Sequence, residues 1–252
     1  MVKVAILGIG TVGGGTAEVL TKNRELIARR AGQEIELKYI LCRRARPDHP
    51  FAHLIVHDID TIVNDPEIGV VAECIGGATL AYQYVRRCLE AGKNVVTSNK
   101  ELVAEKGLEL TTLARKKGVN FLFEASVGGG IPILRPLHSS LTGDVIEEIT
   151  GILNGTTNYM MTKMFYEGAD YDEVLKEAQD NGFAERNPEA EVEGYDACRK
   201  IAILSSIISG KQVDFEDIYC EGITRLTAED MKYANAMAMT IKPLANCQRH
   251  GE

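Results

Sequence analysis

No stretch of this 252-residue chain is apolar for long enough to span a membrane, so no spanning helix is expected. Its N-terminus lacks the pattern of a secretion signal, because the first apolar run is short and breaks at a glycine turn. The cytosol is the expected compartment. None of the six cysteines (Cys42, Cys74, Cys88, Cys198, Cys220 and Cys247) forms a CxxC pair. Scattered in this way, they read as free thiols rather than as a disulfide framework or a zinc site. Basic residues are outnumbered, and the net charge of −8 argues against a nucleic-acid partner. Repeats, low-complexity segments and Ser/Pro-rich linkers are absent. His49, His53 and His57 recur every fourth residue, a metal-binding spacing on a helix, but Pro50 and a loop-like context argue against one.

The chain does carry Gly8-Ile9-Gly10-Thr11-Val12-Gly13, placed after the apolar run Val2 to Leu7 and before a helix-like stretch, Gly14 to Ala31. Strand, glycine turn and helix in that order form a dinucleotide fingerprint. Gly8 allows the tight turn, Gly10 lets the backbone approach a pyrophosphate, and Gly13 lets helix and strand pack closely. The helix start offers free N–H groups and a partial positive charge to phosphates. Ile35 to Leu41 reads as a second strand ending at Cys42-Arg43-Arg44. An acid there would select the ribose hydroxyl of NAD; two arginines suit a 2′-phosphate, so NADP is expected, alone or alongside NAD.

Strand and helix signals then alternate. Gly69 to Ile75, Asn94 to Thr97 and Val119 to Phe123 read as strands, and Thr79 to Ala91 and Lys100 to Lys117 as helices. Such alternation predicts an α/β, Rossmann-type, doubly wound parallel sheet. Its ligands would bind beyond the carboxyl ends of the strands, near Gly8 to Gly13, Arg43, Gly76, Ser98 to Lys100 and Glu124. After Gly128-Gly129-Gly130 the pattern changes to a mixed α+β region. Here Asp144 to Leu153 reads as a strand, Asn154 to Asn158 as a turn opening a helix, and Tyr171 to Gln179, Asp196 to Ser209 and Thr227 to Ala238 as helices. The expected division is a dinucleotide-binding domain, 1–128, and a second domain, 129–252.

Three groups carry possible chemistry. Lys100 ends Thr97-Ser98-Asn99-Lys100 at a helix start, where the dipole repels a cation, a misfit that favours a functional role. Glu124 precedes a glycine run rich in exposed carbonyls, which suits either a hard cation or a hinge. Asp196 and Lys200 are four apart and followed by Ile201-Ala202-Ile203-Leu204, so they share one face of a mostly buried helix. Desolvation there suits a lysine to acid/base exchange.

The glycine turn resembles the homoserine dehydrogenase family, as do AGKNVVTSNKELVAEKG, FEASVGGGIPILRPL, ILNGTTNYMMTKM, NGFAERNPEAEVEGYDACRKIAIL and DIYCEGI. The resemblance covers nearly the whole chain. It implies NAD(P)-dependent interconversion of L-homoserine and L-aspartate 4-semialdehyde, on the route to threonine, methionine and isoleucine. Matched position by position, it implies Lys200 and Lys100 as catalytic residues. Glu185, Asp196 and Glu191 would bind the substrate. Gly8, Gly10, Thr11, Val12, Gly13, Arg43, Arg44, Gly76, Lys100 and Gly182 would line the nucleotide site. Glu124, Val127, Gly129 and Ile131 would hold a monovalent cation such as sodium, the last three through main-chain oxygens. A homodimer is implied as well, with no nucleic-acid or membrane partner.

Three departures stand out. Ala78-Thr79-Leu80 replaces an acid and a proline that the family often shows, and Glu191 stands where aspartate is usual. The family also normally continues past the position of Glu252, so the expected second domain, which binds substrate, catalyses and dimerises, is truncated. Alternatives at this stage are another NADP enzyme of amino-acid metabolism, or a nucleotide-binding, dimerising fragment without turnover.

Overall fold

Alternating apolar strands and amphipathic helices in the first 136 residues build one parallel sheet. A computed structural model describes residues 1–250, whose chain divides into two units, Met1–Pro136 and Leu137 onward. The first unit contains β1 (Val2–Leu7), α1 (Thr11–Lys22), α2 (Arg24–Ala31), β2 (Ile35–Leu41), β3 (Ile55–Val56) and α3 (Ile59–Val63). It continues with β4 (Ile68–Glu73), α4 (Ala78–Glu90), β5 (Asn94–Thr97), α5 (Lys100–Lys117) and β6 (Phe121–Leu122). The strand order is β3-β2-β1-β4-β5-β6, all parallel, with helices as crossovers. This is the order of a dinucleotide-binding sheet, in which the chain reverses direction between β1 and β4. Ile6, Leu7 and Ile40 are fully buried, each contributing roughly 1.5–3 kcal/mol of hydrophobic stabilisation.

The long helix expected from Gly14 to Ala31 is two helices. α1 begins at Thr11, because the glycine turn ends at Gly10 and the next residues already belong to the first helical turn. It breaks at Asn23, whose N–H still bonds to the Val19 carbonyl (3.0 Å) while its own carbonyl accepts from Ile27 N–H (2.9 Å). Asn favours such junctions over helix interiors. β6 is shorter than expected, since the chain leaves the sheet at Phe123 to form the turn Glu124–Ser126. His49 and His57 are engaged locally: Nδ1 of His49 accepts from Phe51 N–H, and Nδ1 of His57 lies 2.6 Å from the Cys42 carbonyl.

The second unit holds β7 (Glu148–Ile152), α6 (Gly155–Glu167), α7 (Tyr171–Asp180), α8 (Glu189–Val192), α9 (Tyr195–Ser209), α10 (Ala228–Ala236) and β8 (Leu244–Gln248). β7 and β8 pair antiparallel. β7 starts later than expected because Asp144 still belongs to a turn, its N–H bonded to the Leu141 carbonyl. Met160, Met161 and Met164 of α6 pack with Val174 and Ala178 of α7 and Met231 of α10.

The units divide after Pro136, beyond the glycine run. Glu124 supplies the reason. Its Oε1 accepts from Ile133 N–H (2.6 Å) and Leu134 N–H (2.8 Å), and its Oε2 from Arg135 N–H (2.8 Å), tying that segment to the end of the first unit's sheet. Burial pushes the Glu124 carboxyl up, but the three amide donors and the Arg135 charge together outweigh it and leave it below the ordinary glutamate value. Its contribution to stability is therefore present above that ordinary value and is lost as the pH falls. Glu124→Gln should cost on the order of 1–2 kcal/mol in urea unfolding at neutral pH. The gap to the parent chain should close as the pH drops below about 4.3; a gap independent of pH would refute the charge-based account.

Gly13 is a sharper case. A Cβ there would lie 2.1 Å from the Gly8 carbonyl oxygen, whereas a Cβ at Gly15, on the same helix, would meet nothing within 4 Å. Gly13→Ala should lower the unfolding midpoint. Gly15→Ala should raise stability by roughly 0.5–1 kcal/mol, the usual gain on replacing a mid-helix glycine. Equal effects at both positions in parallel melts would contradict the packing role.

Candidate active site

In the first unit the expected nucleotide residues cluster at the carboxyl ends of β1, β2, β4 and β5. Gly8 adopts φ +100°, and a Cβ there would press on the Cys74 carbonyl oxygen at 2.8 Å. A Cβ at Gly10 would meet nothing within 4 Å. Gly8 and Gly13 are thus required by the fold itself, while Gly10 leaves open space in front of α1. Gly10 is also the N-cap of α1 and supplies no side-chain hydrogen bond, and Thr11 and Val12 are exposed in the first turn. The amides of that turn suit a phosphate. Arg43 and Arg44, just past β2, are exposed. Gly76 is exposed in the loop before α4, and half-buried Lys100 opens α5.

That loop and the start of α5 are joined by a network that motif reading did not single out. Glu73, the last residue of β4, is fully buried. Its Oε1 accepts from Ile75 N–H (2.5 Å) and its Oε2 from the Thr97 hydroxyl (2.5 Å). Thr97 Oγ1 accepts in turn from Asn99 N–H (2.9 Å). The Asn99 amide donates to the carbonyls of Ile75 and Gly77, both at 2.9 Å, and its Oδ1 caps α5 through Leu102 N–H. Burial pushes the Glu73 carboxyl up, opposed by bonds from Thr97, Ile75 and Asn99. An acid ending an otherwise apolar central strand was the available sequence signal.

The cation set is apt in kind: one carboxylate and main-chain oxygens are hard ligands. The turn that would carry it is tight, with Ile131 N–H donating to the Gly128 carbonyl and Gly129 at φ +59°. Both Glu124 oxygens also accept amide hydrogen bonds, so an ion would share them.

In the second unit α9 places Asp196 and Lys200 on one face, as expected. Lys200 Nζ lies 2.6 Å from Asp196 Oδ2 and donates to the Leu153 carbonyl at 2.8 Å. Asp196 is buried, and Asn154 Nδ2 donates to the same Oδ2 at 3.0 Å. Asn154 also caps α6, its Oδ1 accepting from the N–H (2.8 Å) and hydroxyl (2.9 Å) of Thr157. An ammonium has three N–H donors, and two are used here, leaving one for a further acceptor. Asn154 was read only as part of a turn. Its signal was that of an N-cap before Gly155-Thr156-Thr157.

Glu191 joins this region through α6. Its Oε1 lies 2.7 Å from Thr156 Oγ1, while its buried Oε2 has no hydrogen-bond partner among the described residues. Glu185 and Gly182 are exposed in the segment between α7 and α8, with Gly182 at φ +74°. The Glu185 backbone carbonyl accepts from Gln179. A cavity of about 120 Å³ is lined by Asn154, Thr157, Glu191 and Cys198, but not by Asp196 or Lys200. Burial pushes the Cys74 and Cys198 thiols up to about 11 and that of Cys88 to about 12, which suits packing rather than nucleophilic attack.

Comparison with known proteins agrees with this layout. A family model described as the NAD binding domain of homoserine dehydrogenase matches residues 8–124, and one described as homoserine dehydrogenase matches residues 132–250. A homoserine dehydrogenase of Pseudomonas aeruginosa is 46% identical over 98% of this chain, which spans 57% of that relative's length. The crystal structure of a homoserine dehydrogenase from Thiobacillus denitrificans superposes with a TM-score of 0.92 at 44% identity, over 99% of this chain and 58% of that one. A solved structure from Archaeoglobus fulgidus bearing the same family designation is 32% identical with a TM-score of 0.88, and 81% of it is covered. A more distant archaeal homoserine dehydrogenase, solved with NADPH and 24% identical, shares the fold with a TM-score of 0.80. With a nucleotide-type sheet in one unit, a lysine paired with a buried aspartate in the other and relatives of one designation across nearly all of its length, this chain belongs to the homoserine dehydrogenase family.

Proposed function

We propose that this chain supplies the nucleotide and amino-acid sites of an NADP-dependent oxidoreductase that interconverts L-homoserine and L-aspartate 4-semialdehyde. The observation that carries the reading is Lys200, held by Asp196 and the Leu153 carbonyl with one N–H to spare. A nicotinamide bound at the first unit would supply or accept the hydride. In the reducing direction Lys200 donates a proton to the aldehyde oxygen as charge develops there. In the oxidising direction it takes the proton from the homoserine hydroxyl. Asp196 keeps the ammonium oriented, and Asn154 keeps Asp196 oriented. Glu191, with one buried carboxylate oxygen lacking a protein donor, fits the ammonium group of the amino acid, as does exposed Glu185. Lys100 and Gly76 serve the nicotinamide end. A monovalent cation at Glu124, Val127, Gly129 and Ile131 would brace the turn that follows β6.

NADP is favoured by exposed Arg43 and Arg44 at the end of β2, in the absence of an acid there. Arg43→Ala should weaken NADP(H) binding about tenfold, or roughly 1.4 kcal/mol, and leave NAD(H) nearly unchanged in paired titrations. A matching loss for both nucleotides would sink the 2′-phosphate assignment.

The decisive assay is L-homoserine-dependent formation of NADPH. Lys200→Ala should lower the rate roughly 100-fold or more, the usual range for losing an acid/base group, with NADPH affinity retained. A variant with undiminished rate would remove Lys200 from the proton path. NADPH binding without any turnover by the parent chain would favour a binding-only portion instead.

A further inference from the structure

A carboxylate buried at the centre of a sheet costs several kcal/mol unless donors replace its hydration. Glu73 is fully buried, yet no salt bridge to it is found among the described residues, and its hydrogen-bond donors there are the Ile75 amide and the Thr97 hydroxyl. An apolar residue would fill the position without that cost, so the carboxylate must do something an apolar side chain cannot. Its register shows what is at stake. Glu73 lies opposite Leu7 on one neighbouring strand and Thr97 on the other. Leu7 leads into the Gly8 turn, and Thr97 leads into Lys100. Glu73 itself leads into Gly76.

The carboxylate bridges two of these three exits. One oxygen fixes Ile75 N–H, two residues into the loop that carries Gly76. The other fixes the Thr97 hydroxyl, which in turn holds Asn99 N–H. Asn99 then closes the circuit onto Ile75 and Gly77 and caps the helix that Lys100 opens. The backbone of both loops is therefore referenced to one buried side chain. The Gly8 turn and α1, by contrast, are fixed by backbone packing, Gly8 against the Cys74 carbonyl and Gly13 against the Gly8 carbonyl, and the Glu73 carboxylate makes no hydrogen bond to them among the described residues.

Resting on the nucleotide reading above, we propose that Glu73 is a positioning residue for the nicotinamide end of that site, acting through Thr97 and Asn99. The adenosine-phosphate end does not depend on it. The two ends can be separated with two ligands: NADPH, and 2′-phospho-ADP-ribose, which lacks the nicotinamide ring. Glu73→Gln keeps the volume but replaces one acceptor with an N–H facing Thr97. Thr97→Val keeps the shape and removes the hydroxyl link. Each purified variant would be checked for folding by circular dichroism and titrated calorimetrically with both ligands.

Both variants should bind 2′-phospho-ADP-ribose within about twofold of the parent chain and NADPH about tenfold more weakly, a difference of roughly 1.4 kcal/mol. Where Glu73→Gln fails to fold, Thr97→Val decides by the same comparison. Equal weakening of both ligands would mean a structural role only and overturn the proposal, as would unchanged NADPH affinity in a folded variant. A parent chain that binds neither ligand would overturn the nucleotide reading itself, and the positioning role with it.

Discussion

Taking a carboxylate out of water is costly unless donors stand in for the lost solvent, and each unit of this chain buries one beside a strand end. The two are compensated differently. Asp196 has a cation, Lys200, one helical turn away, with Asn154 as a second donor on the same oxygen. Glu73 has two donors among the described residues, both neutral, one on the adjacent loop and one on the adjacent strand. In both cases the compensation forces distant segments into register. Asn154 cannot serve Asp196 unless α6 begins where it does, and Thr97 cannot serve Glu73 unless β4 and β5 end level. The loops at these strand ends are therefore set by the demand of a buried charge.

Asp196 and Lys200 tie stability to chemistry most directly. Removing one member of a buried pair leaves the other uncompensated, which usually costs about 3–5 kcal/mol. The Leu153 carbonyl softens this at Lys200, and Asn154 softens it at Asp196. Such a pair is a poor way to gain stability, since an apolar pair of similar size often does as well or better. Its presence on a helix that continues as Ile201, Ala202, Ile203 and Leu204, all buried, fits the proton-donor role proposed for Lys200 better than a need for stability.

Much of this was legible in the sequence, and the legible part has a common physical basis. β1, β2, β5 and α5 fall where apolar period and terminal signals place them, because those signals are local: branched apolar residues in the strands, Asn99 as N-cap and Gly118 in the left-handed region as C-cap. The Asp196–Lys200 pairing was legible for the same reason, being one turn of helix. The split at Asn23 was not, since a single polar residue competes with helix on both sides. Nor were the roles of Glu73 and Asn154. Thr97 is 24 residues from Glu73, and Asn154 is 42 from Asp196. Contacts of that span depend on sheet register and helix docking, which no window of sequence contains. Glu191 is similar, meeting Thr156 across 35 residues.

The helix starts along the parallel sheet's carboxyl edge differ in how their first amides are capped. α5 is capped by Asn99, whose side chain serves one of its first-turn amides, Leu102 N–H. α1 and α4 begin after Gly10 and Gly77, neither of which offers a capping side chain. Unserved amides at a helix start need water or an anion. Of the two, α1 adds open space at Gly10 and a buried Gly13 that draws the helix onto the strand, so its amides converge on a clear approach. The strand that leads into it, β1, pairs with β2, whose end carries exposed Arg43 and Arg44. The edge thus divides by capping chemistry: α1 and α4 start after a glycine with no side-chain cap, and α5 starts after Asn99, which supplies one.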